Sequence, residues 1–417
     1  MKMLNCDVAV IGGGPAGLAA AAKARQLGAE NVLILERDIR SGGILRQCVH
    51  DGFGLVRFGK RMSGGQYAQH FLDEVNELGI RQLLNTMVLE ITKDRVIYAC
   101  NETDGMLRIT CGAIILAMGC RERTRQQVFI MGTRPAGILT AGAVQRYINI
   151  EGYLPGKKAV ILGSGDIGLI MARRMTLEGM EVEGVYELMP TLGGLRRNKV
   201  QCLDEFGIPL HLSTTVTQVY GEQRLERLTV QQVDENRNPI PGTERYIECD
   251  LLVLAVGLIP ENELSIAAGI EMDPTTRGPV VDESMMTSIP GIFACGNVAA
   301  VFDLVDYVSE TGETAARGAV RFLQGEICAD EPYVQIEKGE NVGVMIPQRF
   351  HPSCIGDEGL SVYLRVTKPL EKCVLLAKDG DREVYRKRHD IALPPEMLRA
   401  DIKKDAAPAA LKLEVNG

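Results

Sequence analysis

The chain has 417 residues, 46% hydrophobic and 24% charged, with a net charge of −8. That length suits two or three domains, and the acid excess argues against a nucleic-acid-binding surface. No uncharged apolar run approaches the length of a membrane span, and the first strand begins by residue 7, so neither a membrane protein nor a signal peptide is expected and the cytoplasm is.

The first predicted element is the apolar run Val8-Ala9-Val10-Ile11, read as a buried parallel strand. It enters the turn Gly12-Gly13-Gly14, and Pro15-Ala16-Gly17 opens an alanine-rich helix that runs to about Leu27. Strand, glycine turn and helix together present backbone N–H groups and a positive dipole end to a pyrophosphate. In that geometry Gly12 makes the tight turn, Gly14 admits the phosphates and Gly17 lets the helix pack on the strand. The next strand, Val32-Leu33-Ile34-Leu35, ends in Glu36, nineteen positions after Gly17, where a carboxylate can accept from a ribose hydroxyl.

Residues 40–54, with the pair Gly42-Gly43, read as a loop lying against a ligand. Residues 66–78 read as an amphipathic helix through Tyr67, Phe71, Val75 and Leu78. Hairpin strands are expected at 87–91 and 95–100, and a buried strand at 113–117 that ends at Met118-Gly119. The opening pattern then repeats: Ala159-Val160-Ile161-Leu162 leads into Gly163, Gly165 and Gly168, and a helix through Ile167 runs to about Leu177. The strand at 182–186 ends in Glu187, again nineteen positions after the last glycine. Two such units in one chain are a far sharper signal than either alone. An acid at Glu187 repels a 2′-phosphate and so favours NAD over NADP, with Arg196 and Arg197 downstream as the cations that would oppose this. A strand at 251–257 ends in Gly257, residues 289–298 follow, and a helix is expected over 303–323. Beyond Asp330 the chain turns Pro-rich and β-branched, with strands expected at 363–366 and 373–376 and a loose tail after Asp405.

Eleven cysteines raise the question of metals and disulfides, but the sequence contains no C-x-x-C. No metal site is expected, and most of the cysteines read as small buried hydrophobes. The five histidines are scattered along the chain, and no acid–base set for oxidising an organic substrate is apparent.

Taken together, the first turn with Glu36, the Ala117-Met118-Gly119 strand end, the second turn with Glu187, Ala255-Val256-Gly257 and residues 292–298 resemble the pyridine nucleotide–disulfide oxidoreductases. The resemblance covers residues 1 to about 330. It implies an α/β fold of two Rossmann-like domains, a discontinuous FAD domain over 1–120 and 262–330 and an inserted NAD domain over 121–261. A small strand-rich unit over 331–417, expected to take part in binding a partner, completes the architecture. On the same ground Arg37, Gly43 and Val88 join the residues expected around FAD. Gly296 and Asn297 are expected at the ribityl chain, with a helix after Asn297 aimed at the flavin.

Two departures matter. The family's disulfide reductases carry two loop cysteines five apart, whereas Cys48 stands alone here, so no dithiol relay is expected. Asn297 replaces the family's Asp, leaving a hydrogen-bonding amide without charge. Cys48 and His50 are the candidate catalytic residues: Cys48 as a redox thiol or as a small residue packed by the flavin, His50 as a proton donor or as a hydrogen-bonding group, the packing and bonding roles being the plainer ones.

Residues 42–54, Arg134-Pro135-Ala136-Gly137 and 293–298 resemble a narrower group, the FAD/NAD subunits of amino-acid and hydroxyproline dehydrogenases and the NAD/FAD oxidoreductase paired with glycerol-3-phosphate dehydrogenase-type flavoproteins. That resemblance implies hydride exchange between NAD(H) and bound FAD, and a partner flavoprotein dehydrogenase subunit in an oligomer or hetero-complex. The alternatives are a stand-alone NADH oxidase or peroxidase using Cys48, and a non-catalytic redox-sensing or assembly protein.

Overall fold

Val8, Ala9, Val10 and Ile11 are buried at the end of a strand that spans Lys2–Ile11. Apolar on both faces, they suit a strand covered on both sides, as parallel sheets require. The computed structural model describes residues 1–326, 332–356, 358–404 and 409–417. These form two compact units, one of Met1–Arg46, Asp51–Cys120 and Pro260–Gly417, the other of Gln47–His50 and Arg121–Ile259.

The first unit is built on a sheet with strands in the order Arg81–Leu83, Val32–Leu35, Lys2–Ile11, Gly105–Leu116, Val96–Asn101, Met87–Ile91. Val8 lies opposite Val32 on one side and Ala113 on the other, both in parallel register. Ile292–Ala294 returns from late in the chain to pair with the end of the long Gly105–Leu116 strand, Ile292 opposite Ile114. The Pro15–Gln26 helix is half alanine, and its buried face meets the Val305–Leu323 helix so closely that a Cβ on Gly312 would overlap the Ala16 carbonyl oxygen. The expected 66–78 helix spans Gly64–Glu77 and starts on a capping box, in which Ser63 Oγ accepts from Gln66 N and Gln66 Oε1 accepts from Ser63 N.

The helix expected over 303–323 is present as Val305–Leu323, after a single 3₁₀ turn at Gly296–Val298 and a bond from Phe302 N to Asn297 Oδ1 at 3.0 Å. One expectation is corrected in this unit. The chain end is not loose. Residues 405–408 lie outside the described residues, but Leu411–Asn416 is a strand between Val334–Lys338 and Leu370–Asp379. It buries Leu411, Leu413 and Val415, an alternation that marks a half-buried strand. The C-terminal strands gather in two sheets over a core of their own, which includes Phe350, Val362, Leu364 and Leu375. Residues 327–331, which contain the expected boundary of that unit, lie outside the described residues.

The second unit holds a five-stranded parallel sheet, ordered Ile138–Thr140, Leu251–Leu254, Lys158–Leu162, Glu181–Tyr186, Leu210–His211. The Asp166–Leu177 helix follows the Lys158–Leu162 strand, as in the first unit. A separate sheet contains Thr214–Tyr220, Arg227–Gln232 and Arg245–Glu248. Among the described residues no helix is long and apolar enough to cross a membrane.

Candidate functional site

The first glycine turn is shaped by what a side chain would strike. Gly12 has φ +106°, and a Cβ there would overlap the Ala117 carbonyl oxygen; on Gly17 it would overlap the Gly12 carbonyl oxygen. Gly14 differs, because a Cβ there would meet only Gly43 Cα, at 4.0 Å. Its face is therefore open, at the N-cap of the Pro15–Gln26 helix, where Pro15 gives up an N–H that has no partner inside the helix anyway. An open, donor-lined face at a helix N-terminus fits a pyrophosphate.

Glu36 is 7% exposed, with Oε2 accepting from Gly13 N at 2.7 Å and Oε1 from Asp38 N at 2.8 Å. These bonds fix the carboxylate at the strand end and leave it lone pairs for a ribose. Arg37 beside it is exposed, 3.9 Å from Glu261. Residues 83–86 run along Glu36, whose N donates to Leu83 O and whose O accepts from Thr86 N. Val88 lies further on, buried in the hairpin opposite Ala99. Gly119 has φ +73° and its carbonyl accepts from Glu261 N. Gly296 N donates to Thr311 Oγ1 at 3.0 Å, and a Cβ on Gly296 would lie 2.8 Å from the Ala16 side chain. The Asn297 amide contacts Cys120 Sγ at 3.5 Å. The structure thus gathers Gly12, Gly14, Ala16, Gly17, Glu36, Gly43, Ala117 and Gly296 about one turn.

The second turn repeats this construction. A Cβ on Gly163 would overlap the Ala255 carbonyl oxygen, one on Gly168 the Gly163 carbonyl oxygen, and one on Gly165 would meet nothing within 4 Å. Ile167 sits half-buried in the first turn of the following helix. Glu187 is 8% exposed, its Oε2 accepting from Ser164 N at 2.8 Å and Ser164 Oγ at 2.7 Å, its Oε1 from Met189 N at 2.9 Å. Gly257 has φ +98°, and its carbonyl accepts from Arg123 N at 3.0 Å. One component was missed from the sequence: Gly193 and Gly194, whose backbone lies along this turn. The signal was available, since they follow the second turn at the interval at which Gly42 and Gly43 follow the first.

Residues 6–319 match the family described as pyridine nucleotide-disulphide oxidoreductase. The chain belongs to that family. As a pyridine nucleotide-disulphide oxidoreductase it is a flavoprotein oxidoreductase that binds FAD and uses NAD(P). Hydrogen cyanide synthase subunit HcnB of Pseudomonas protegens is 26% identical over 286 residues, 64% of this chain and 60% of its own length. The chain therefore spans less than two thirds of that relative. The glutamate synthase (NADPH) small chain of Mycobacterium tuberculosis is 26% identical over 363 residues, 79% of this chain and 70% of its own length. The crystal structure of T. acidophilum thioredoxin reductase shares the fold, with a TM-score of 0.60 and 23% identity over 76% of this chain and 98% of that one.

In this oxidoreductase the segment Gln47–His50 belongs to the second unit. Gln47 Nε2 donates to Gly142 O at 2.8 Å and Gln145 Oε1 at 3.1 Å, and Asn149 Nδ2 donates to Gln47 O. Cys48 is buried, with Sγ 3.8 Å from Gln145 Oε1, and burial pushes its pKa up to about 12. The thiol therefore stays protonated at neutral pH, and the thiolate is the reactive form. Arg46, two residues before Cys48, pairs with Asp38 at 3.3 Å. His50 is half-buried in the same segment. We expect Cys48→Ser to be reduced by NADH within about twofold of the wild-type rate, because a neutral buried thiol adds no step to hydride transfer. A tenfold loss in stopped-flow flavin reduction would restore Cys48 to a redox role.

Elsewhere, Asp282, Glu283 and His351 place ligand-type atoms within 4.8 Å of one another. Asp282 Oδ1 already accepts from Ser284 and Met286, and Glu283 Oε2 from His351 N, so these groups bind two chain segments together and we assign no metal to them.

Proposed function

We propose that this chain is the FAD- and NAD-carrying component of a dehydrogenase in which a separate subunit handles the organic substrate. It exchanges hydride between NAD(H) and bound FAD, and relays electrons to or from that partner, of the glycerol-3-phosphate or amino/imino-acid type. The observation that supports this is the pair of open turn faces at Gly14 and Gly165, each with a buried acid at the neighbouring strand end, in a chain whose Cys48 thiol is held neutral. Two cradles serve two dinucleotides, and a single neutral thiol cannot complete the thiol–disulfide exchange of a dithiol enzyme. FAD, when bound, supplies a site that takes up and returns hydride. The chain's residues bind and orient: the turns take the pyrophosphates, and Glu36 and Glu187 accept from ribose hydroxyls. Two of the relatives above are named as a subunit and as a small chain, which agrees with a partnered enzyme.

The test is to purify the chain with whatever accompanies it, record the flavin spectrum and titrate with NADH without oxygen. The isolated chain should bleach with NADH yet fail to oxidise amino acids or glycerol 3-phosphate, and adding the partner subunit should restore substrate-dependent NAD reduction or its reverse. Substrate oxidation by the chain alone would overturn the partnered reading. Vigorous peroxide turnover that disappears in Cys48→Ser would replace it with a stand-alone peroxidase.

A further inference from the structure

Residues 189–195, between the Glu181–Tyr186 strand and the Arg196–Cys202 helix, lie along the second glycine turn and are tied to it by side chains of the turn itself. Gly193 N donates to Ser164 Oγ at 2.8 Å, and Leu195 N donates to Asp166 Oδ1 at 2.8 Å. Asn198 Nδ2 donates to the same Asp166 oxygen at 2.7 Å. The approach is closest where the loop has no side chain. A Cβ on Gly194 would lie 2.9 Å from Asp166 N and 3.0 Å from Ser164 O, and one on Gly193 would lie 3.4 Å from Gly165 N.

Asp166 poses an electrostatic problem at this position. It is the first residue of the helix whose positive end the turn offers to an anion, so an unengaged carboxylate there repels a pyrophosphate. The structure turns it toward the loop, where one oxygen takes two donors. The first cradle uses no side-chain latch: its matching loop is tied by backbone, Gly42 N donating to Gly13 O at 2.7 Å. Its positions matching Ser164 and Asp166 are Gly13 and Pro15, which offer no side-chain hydrogen bond.

We propose that residues 189–195 are a strap forming one wall of the nucleotide cradle in the second unit, and that Asp166 is its latch. Asp166 is a positioning residue: it holds the Gly193–Gly194 backbone on the turn while the Gly165 face stays open to the diphosphate of a nucleotide. The inference rests on the reading of this unit as the NAD(H) site. A strap already ordered before the ligand arrives spares the ligand the cost of ordering it, so loss of the latch weakens binding.

The experiment uses the FAD-loaded full chain, with NADH and ADP-ribose affinities measured by calorimetry and strap opening measured as trypsin cleavage after Arg196 and Arg197. Asp166→Ala should weaken both ligands by roughly tenfold and speed cleavage. Asp166→Asn keeps an acceptor oxygen for Leu195 and Asn198 while removing the charge, so it should bind at least as tightly as wild type and resist trypsin equally. Asn198→Ala, which removes one of the two donors, should fall between them and serves if Asp166→Ala does not fold, FAD content reporting folding throughout. Unchanged affinity and cleavage in Asp166→Ala, or an Asn variant as weak as the Ala variant, overturns the latch. Gly165→Val separates the two levels. If it binds NADH like wild type, the reading of the second unit as the nucleotide site has failed; if it alone loses binding, only the latch has failed.

Discussion

Gly14→Val should yield a folded protein that purifies colourless. Gly14 has φ −81° and ψ −174°, which any L-residue adopts, so the substitution brings no backbone strain. A Cβ there meets nothing in the protein closer than Gly43 Cα at 4.0 Å, so the fold accommodates it. What the added side chain does occupy is the open face of the turn, the space a pyrophosphate needs to reach the helix N-terminus. The contrast with Gly12 and Gly17 makes the experiment clean, because a Cβ at either would overlap a carbonyl oxygen and damage the fold itself. The ratio of flavin to protein absorbance should fall to near zero, while circular dichroism and thermal midpoint match those of wild type stripped of FAD. The midpoint of both should lie below that of the loaded enzyme, since a ligand at a thousandfold excess over its Kd stabilises by about 4 kcal/mol. A yellow, fully loaded Gly14→Val protein would sink the assignment of FAD to this turn.

The cradles were legible because each depends on local patterns. Val8 to Ile11, the glycines and Glu36 are bound by period, spacing and turn chemistry, and the same holds for Gly163 to Glu187. What was not legible depends on long-range packing. Nothing near Cys48 in sequence shows that its loop segment packs beside Gln145, which is what buries the thiol. Asn297 is placed by family position alone, and only the folded chain shows its side chain accepting from Phe302 N in the turn ahead of the Val305–Leu323 helix. The final strand was missed for another reason. Its alternation of Leu411, Leu413 and Val415 follows a polar, alanine- and proline-containing stretch, and chain ends are poorly ordered unless something ties them down. Here the ties are two strands that end before it begins, Val334–Lys338 and Leu370–Asp379.

Glu187→Gln should cost NADH roughly ten- to a hundredfold in affinity, the worth of a hydrogen bond to a charged acceptor, and should reduce discrimination against NADPH by at least as much. The wild-type carboxylate is buried and fixed by Ser164 and Met189, so it presents its remaining lone pairs in one orientation. Ribose hydroxyls donate to it, whereas a 2′-phosphate brings like charge to a buried acid that cannot move away. Glutamine keeps one oxygen able to accept from Ser164 but turns its amide donors toward Met189 N–H, a mismatch that disturbs the second cradle and not the first. FAD content should therefore stay at the wild-type level, which separates a change in nicotinamide choice from misfolding. Stopped-flow flavin reduction with each nucleotide is the measurement. Wild type should be reduced faster by NADH than by NADPH at equal concentration, and Glu187→Gln should narrow the gap mainly by slowing NADH. If wild type prefers NADPH, then Arg196 or Arg197 outweighs the acid. If the preference is the same with and without the charge, the carboxylate serves the turn alone, as an acceptor for Ser164 and Met189, and selectivity for the 2′ position comes from elsewhere in the cradle.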